Sequence, residues 1–166
     1  MISDIVKRAE KLIRLCDTRD PFRIAREIGL QIEYSDMGRC KGMYKVIKRN
    51  RFGVINNRLD EYLQKLVCTH EIGHDQFHRE LAVDSWLREF TIYNMKTRPE
   101  YEANIFAAEV LLPDDDILEL IDMDYDFDQI AREMYSDINL VGIKIGTLIK
   151  KGHPLRGYEF RDNFLK

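Results

Sequence analysis

The stretch His70-Glu71-Ile72-Gly73-His74 sets two imidazoles four positions apart with a carboxylate directly after the first, and no other feature restricts the fold of this chain so strongly. On an α-helix, side chains at i and i+4 lie one above the other on one face, about 6 Å apart along the axis. Both rings can reach a single ion if the segment is helical. Zinc takes neutral imidazole nitrogens at roughly 2.0–2.1 Å and, in catalytic sites, three protein ligands with the fourth position left to water. A second element must therefore fold against this helix and bring the third ligand. Glu71 lies about 100° around the axis from His70, beside the ligand stripe, where it can take a proton from that water. The spacing points to a metal-dependent hydrolase.

The flanking residues support an inward-facing pair. Read as a helix over about 59–79, the segment places Leu59, Leu63, Leu66, Val67, His70, His74 and Phe77 within one half-turn arc. A lone inward histidine is usually a core residue with its hydrogen bonds met. Two at i and i+4, with a glutamate beside them, are harder to explain that way.

The chain as a whole is compatible with one compact unit. Its 166 residues, 45% hydrophobic and 33% charged, suffice for a buried core. A net charge of −3 gives no field that would gather nucleic acid or anionic membrane. No apolar run approaches the roughly 18 residues that a bilayer span requires. The opening MISDIVKRAEKLIRLC mixes charges with Ile, Val and Leu at helical spacing, unlike a signal peptide, so a cytoplasmic location is expected. Cys16, Cys40 and Cys68 are odd in number and none forms C-x-x-C, which argues against disulfides and against a cysteine zinc site.

Along the chain, a helix is expected over 2–16, and a second opens with Asp20 as N-cap and Pro21 at its first position, closing at Gly29. From Leu30 to Asn57 the pattern turns to strands: LQIEYS, GMYKVIK, a turn at Arg49-Asn50-Arg51, and FGVIN. This predicts a small antiparallel sheet ahead of the metal helix. Residues 80–98, with Trp86, Phe90 and Tyr93, have no clean period and receive no assignment. A helix over about Pro99–Leu112 stops at Pro113, and Asp114, Asp115 and Asp116 offer caps for the next. Helices near 126–136 and 138–151 precede a polar tail.

The third ligand is the open question of the motif. His78 lies about 12 Å along a continuous helix from His70, with no glycine after His74 to curl it back, so it is expected to pack at the helix end or to hydrogen-bond a group behind the ligands. In Glu100-Tyr-Glu102-Ala-Asn104-Ile-Phe-Ala-Ala, the residues Ala103, Phe106, Ala107, Val110 and Leu111 trace a buried stripe. Glu100 falls about 50° from the centre of that stripe, whereas Glu102 falls more than about 100° away, near Glu109. Glu100 is therefore expected to face inward and Glu102 outward. A buried carboxylate needs a partner or a metal. Asn104, one turn on, is placed to hold a histidine ring. The plainer alternative makes Glu100 an exposed first-turn residue favoured by the helix dipole.

These segments together resemble the ImmA/IrrE family of metallopeptidases: DPFRIAREIGLQIEY, GMYKVIK, GVINN, HEIGHDQFH and EYEANIFAAEVLLP, over most of residues 20–113. Members are similar in fold to gluzincin peptidases, whose third ligand is the Glu of E-x-x-x-D/N, and Glu100-x-x-x-Asn104 matches that pattern. The resemblance implies Zn²⁺ held by His70, His74 and Glu100, with Glu71 as base. It also implies a protein substrate, a helix-turn-helix repressor such as those of mobile elements. The expected architecture is α+β and zincin-like: a small antiparallel sheet packed with the active-site helix, plus C-terminal helices. Residues 1–113 would form the metallopeptidase core and 114–166 a helical extension packed on it, together one structural unit.

In such an enzyme, a sheet edge ahead of the helix could receive an extended peptide as a further strand. The transition-state oxyanion needs a donor, and Tyr44, Tyr93, Tyr101, His78 and His153 are all chemically able. The rival class is a non-catalytic regulatory module binding DNA or protein, with 126–151 as a helix-turn-helix and the metal structural or vestigial. In that segment Asp126, Asp128, Glu133 and Asp137 balance Arg132, Lys144, Lys150 and Lys151, and Leu140, Val141, Ile143, Ile145, Leu148 and Ile149 are devoted to packing. Few residues are left to read base edges, which favours a core-completing or partner-docking element.

Overall fold

A computed structural model describes residues 2–89, 93 and 95–155; Phe90 and the polar tail from 156 lie outside the described residues. The elements run α1 (Ile2–Cys16), α2 (Pro21–Glu27), β1 (Gln31–Ser35), β2 (Gly42–Ile47), β3 (Asn50–Asn56), α3 (Glu61–Phe77), α4 (Leu81–Asp84), β4 (Leu87–Glu89), α5 (Arg98–Leu111), α6 (Asp114–Asp122), α7 (Phe127–Glu133) and α8 (Ile138–Lys150). The fold is α+β. Local chemistry explains the helix starts. Asp20 accepts from Phe22 N–H ahead of Pro21, Asp60 accepts from Leu63 N–H, and Asp126 and Gln129 form a capping box.

The sheet is mixed and not purely antiparallel, with strand order β1-β3-β2-β4. β2 and β3 form the expected hairpin, but β1 pairs parallel with β3, with Gln31 opposite Phe52 and Ser35 opposite Asn56. Because β2 lies on the far side of β3, the chain leaving β1 must cross before entering β2, so β1 and β3 run in one direction. The turn also lies earlier than expected. Lys48 and Arg49 take φ of 48° and 70°, the left-handed pair that a tight two-residue hairpin turn requires, and Asn50 and Arg51 already belong to β3. The unassigned 80–98 stretch contains α4 and the edge strand β4, in which Gly42 faces Glu89 and Tyr44 faces Leu87.

α3 runs through the middle of the molecule. Every residue from Leu66 to Asp75 is buried, a wider band than one amphipathic face, because α2, the sheet and α5 all pack around it. Small residues allow this. A Cβ on Gly73 would come within 3.0 Å of the Ala103 Cα, so glycine there lets α3 and α5 approach closely. Asp75 anchors the helix to the sheet, accepting from the Tyr44 hydroxyl at 2.8 Å and from Arg51 Nη1 at 2.7 Å. On the other side of α5, α8 packs its Leu140, Val141, Ile145 and Leu148 into the core.

Candidate metal centre

α3 and α5 bring His70, His74 and Glu100 together, with one candidate ligand atom from each lying within 4.8 Å of the other two. His70 Nε2 lies 3.0 Å from His74 Nε2 and 3.1 Å from Glu100 Oε2, and His74 Nε2 lies 3.5 Å from Glu100 Oε1. For ligands at roughly 2.0–2.1 Å from a tetrahedral ion, ligand-to-ligand edges are about 3.3 Å. The three donors thus already stand at separations that suit one small divalent cation.

The hydrogen bonds behind the rings select the same nitrogens. His70 Nδ1 lies 3.0 Å from Asn104 Oδ1, and the Asn104 amide nitrogen donates to Met95 Sδ, so the Asn104 oxygen accepts and the His70 proton sits on Nδ1. His74 Nδ1 lies 3.0 Å from His78 Nδ1, and His78 Nε2 lies 3.1 Å from Glu102 Oε2. Because Glu102 accepts from His78 Nε2–H, His78 Nδ1 accepts from His74 Nδ1–H. Both metal-facing Nε2 atoms then carry lone pairs.

Electrostatics agree with that arrangement. Burial, ahead of smaller effects from its neighbours, pushes His74 down to about 4, so its ring is neutral near pH 7. Burial pushes the Glu100 carboxyl up, but the facing rings of His70 and His74 outweigh it and hold the group well below the usual carboxylate range. Glu71 is 1% exposed and neither of its oxygens has a hydrogen-bond partner among the described residues. Burial first, then Glu89 and Glu100, raise its pKa well above the ordinary value. Two buried imidazoles facing the carboxylates of Glu71 and Glu100 make a donor set that a divalent metal fits.

Glu71 reaches this place because β2 and β3 have no side chains where it passes. A Cβ on Gly42 would sit 2.4 Å from Glu71 Oε1, and one on Gly53 would sit 3.5 Å from Glu71 Cβ.

Several residues differ from expectation. Glu102 does not face outward: it is buried at 7% exposure, paired with His78 and, at 2.6 Å, with Arg98. Glu109, expected near it on the outer face, is also buried, against Lys144 and Lys151. Helical-wheel reasoning assumed one buried face for α5, whereas this helix is packed on several sides. His78, by contrast, lies where expected, at the end of α3 with its ring 3.0 Å behind the His74 ring. Glu89 was missed outright. It is 4% exposed, with Oε2 3.3 Å from His70 Nε2, and it comes from a three-residue strand with no periodicity to read. Of the proposed oxyanion donors, Tyr44 is bound to Asp75, Tyr93 pairs with Tyr62 at 3.3 Å, and Tyr101 accepts from Lys150.

Residues 25–138 match the model of a peptidase family described as the IrrE N-terminal-like domain. The chain is 34% identical over 129 residues to "Uncharacterized immunity region protein 2" of Bacillus phage phi105, covering 76% of this chain and 80% of that protein. It is 25% identical over 114 residues to "Metallopeptidase ImmA" of Bacillus subtilis (strain 168), covering 66% of this chain and 64% of that protein.

Proposed function

The chain belongs to the ImmA/IrrE family, and from that premise we propose that it is a zinc-dependent endopeptidase. The observation that carries this is the convergence of His70 Nε2, His74 Nε2 and the Glu100 carboxylate beside a buried, unpartnered Glu71. His70, His74 and Glu100 would hold the metal and Asn104 would orient His70. When bound, zinc lowers the pKa of a water toward 7 and polarises the scissile carbonyl. Glu71 takes the water proton and passes it to the leaving amine. The glycines at 42 and 53 keep its carboxylate against the sheet, close to Glu89 and Glu100.

The substrate we propose is a helix-turn-helix repressor, cleaved at few bonds in the cytoplasm, as part of the regulation of a mobile element. The family membership and the immunity-region name of the phage relative support it. None of the described helices is long and apolar enough to cross a membrane. A DNA-reading role for the last helices fits poorly with Lys144, which is fully buried between Glu109 and Asp114 instead of facing a phosphate. The test combines metal analysis with cleavage of the repressor encoded beside this chain. About one zinc per chain is expected, chelation should stop cleavage, and Glu71→Gln should retain zinc while cutting at least about 10³-fold more slowly. Undiminished cleavage by zinc-loaded Glu71→Gln would remove Glu71 from the base role. Sequence-specific DNA binding without cleavage would replace the peptidase with a regulatory module.

A further inference from the structure

The sheet has two faces, and only one belongs to the metal centre. A Cβ on Gly42 or Gly53 would point at Glu71, and the one on Gly53 would also meet Ile32 Cδ1 at 2.9 Å, so these positions define an inner face. Helices α2 and α3 pack there, with Phe22 of α2 against the ring of Tyr34. Side chains alternate along a strand and share a face with the residues directly opposite. The outer face therefore carries, in register across β4, β2, β3 and β1, the row Arg88, Met43, Val54 and Glu33, and beside it Lys45, Phe52 and Gln31. None of these side chains is buried: Met43, Lys45, Phe52 and Val54 are half-buried, and Gln31, Glu33 and Arg88 are exposed. Among the described residues neither Glu33 nor Arg88 has an ion pair.

Read across the strands, that row is cation, apolar, apolar, anion, and its two ends complement each other. A two-fold axis parallel to the strands, midway between β2 and β3, reverses the order β4-β2-β3-β1 on a facing copy. Arg88 of one copy then lies over Glu33 of the other, Met43 over Val54, and Lys45 over the ring of Phe52, each contact made twice. These are an ion pair, an apolar pair and a cation–π pair. Two sheets packed about 10 Å apart with strands nearly aligned is the usual geometry for such faces. A polyanion fits less well, because Glu33 repels it and the chain has a net charge of −3. The area sets the strength. With strands about 4.8 Å apart and about 3.4 Å per residue, the face projects to roughly 400 Å², half of the roughly 800 Å² per partner of a standard interface. Association through it is therefore weak and concentration-dependent.

We propose that the chain forms a two-fold dimer through the outer face of its sheet, with Arg88 of each copy paired to Glu33 of the other. His70, Glu71 and His74 lie on α3, against the inner face, so the dimer covers neither metal centre and the two face away from each other. The inference does not depend on the metallopeptidase reading. Sedimentation equilibrium of the full chain from about 1 to about 300 µM tests it. Wild type, Arg88→Glu, Glu33→Arg and the Glu33→Arg/Arg88→Glu double variant are compared, with circular dichroism to verify folding. Wild type should form a dimer with a dissociation constant of about 1–100 µM. Each single variant sets two like-charge pairs in the interface and should weaken association at least about tenfold. The double variant, and an equimolar mixture of the two single variants, restore opposite charges at both pairs and should return to within about threefold of wild type. Wild type that stays monomeric at about 300 µM would overturn the proposal. So would single variants that associate as tightly as wild type, or a mixture of them that fails to recover.

Discussion

Helix α5 has a charged cluster on each of two sides, and the clusters are balanced differently. Toward α8, Glu109 and Asp114 face Lys144 and Lys151, two carboxylates against two ammonium groups, with Lys144 and Glu109 both buried. Burial raises the Asp114 carboxyl, yet the ammonium groups of Lys144 and Lys151 beside it outweigh burial and hold the group below its ordinary value. Toward α3, Glu100 and Glu71 are set among imidazoles of which His74 is held neutral by burial. The first cluster is complete as it stands and holds two helices together. The second is composed like the ligand set of a cation, and this imbalance distinguishes a binding centre from a structural ion-pair network.

The widest separation between the clusters comes from removing a charge from the balanced one. Lys144→Met leaves two carboxylates with Lys151 alone, and breaking a buried pair costs about 3–5 kcal/mol. Urea unfolding should show that loss while zinc affinity, measured by competition with a chelator, stays within about twofold. Zinc affinity that falls with Lys144→Met would show the two clusters to be one coupled network. A smaller effect is expected on the other side. Glu102 touches the site only through His78, so Glu102→Gln should weaken zinc by about 10–100-fold, equivalent to about 1.4–2.7 kcal/mol. Glu100→Gln should weaken it further. The opposite order would mean that the carboxylate behind His78 matters more than the one facing the rings.

The sequence made the candidate metal centre more legible than its surroundings, for identifiable reasons. His70, Glu71 and His74 could be placed because one helix sets their geometry, and Glu100 because its spacing to Asn104 survives in any regular helix. Glu102 and Glu109 were misplaced because a wheel predicts one buried face, and α5 is enclosed by α1, α3 and α8. The partner of β1 depends on a crossover that no local pattern records, so the parallel pairing with β3 was not readable. Glu89 depends on a tertiary pairing of three residues, too short for alternation to register.

The smallest expected effect separates the clusters by pH. In the metal-free chain, His74 titrates at about 4 when folded and near 6.5 when unfolded. As pH falls from about 6.5 the unfolded chain takes up that proton first, so stability declines until the folded ring also protonates near pH 4. Asp114 is depressed in the folded state, so its contribution is fully present above the unfolded value of about 3.9 and is lost only as pH falls below that. Comparing metal-free wild type with Asp114→Asn cancels the His74 decline, which both share. The remaining difference should be less than about 1 kcal/mol, because the Asp114 side chain is 32% exposed, and it should be constant from pH 7 to about 4.5 before shrinking toward zero in stronger acid. Chemical denaturation at closely spaced pH values measures it. A difference that instead shrank between pH 6.5 and 4.5 would tie Asp114 to the histidine titration, and the two sides of α5 would have to be treated as one electrostatic unit.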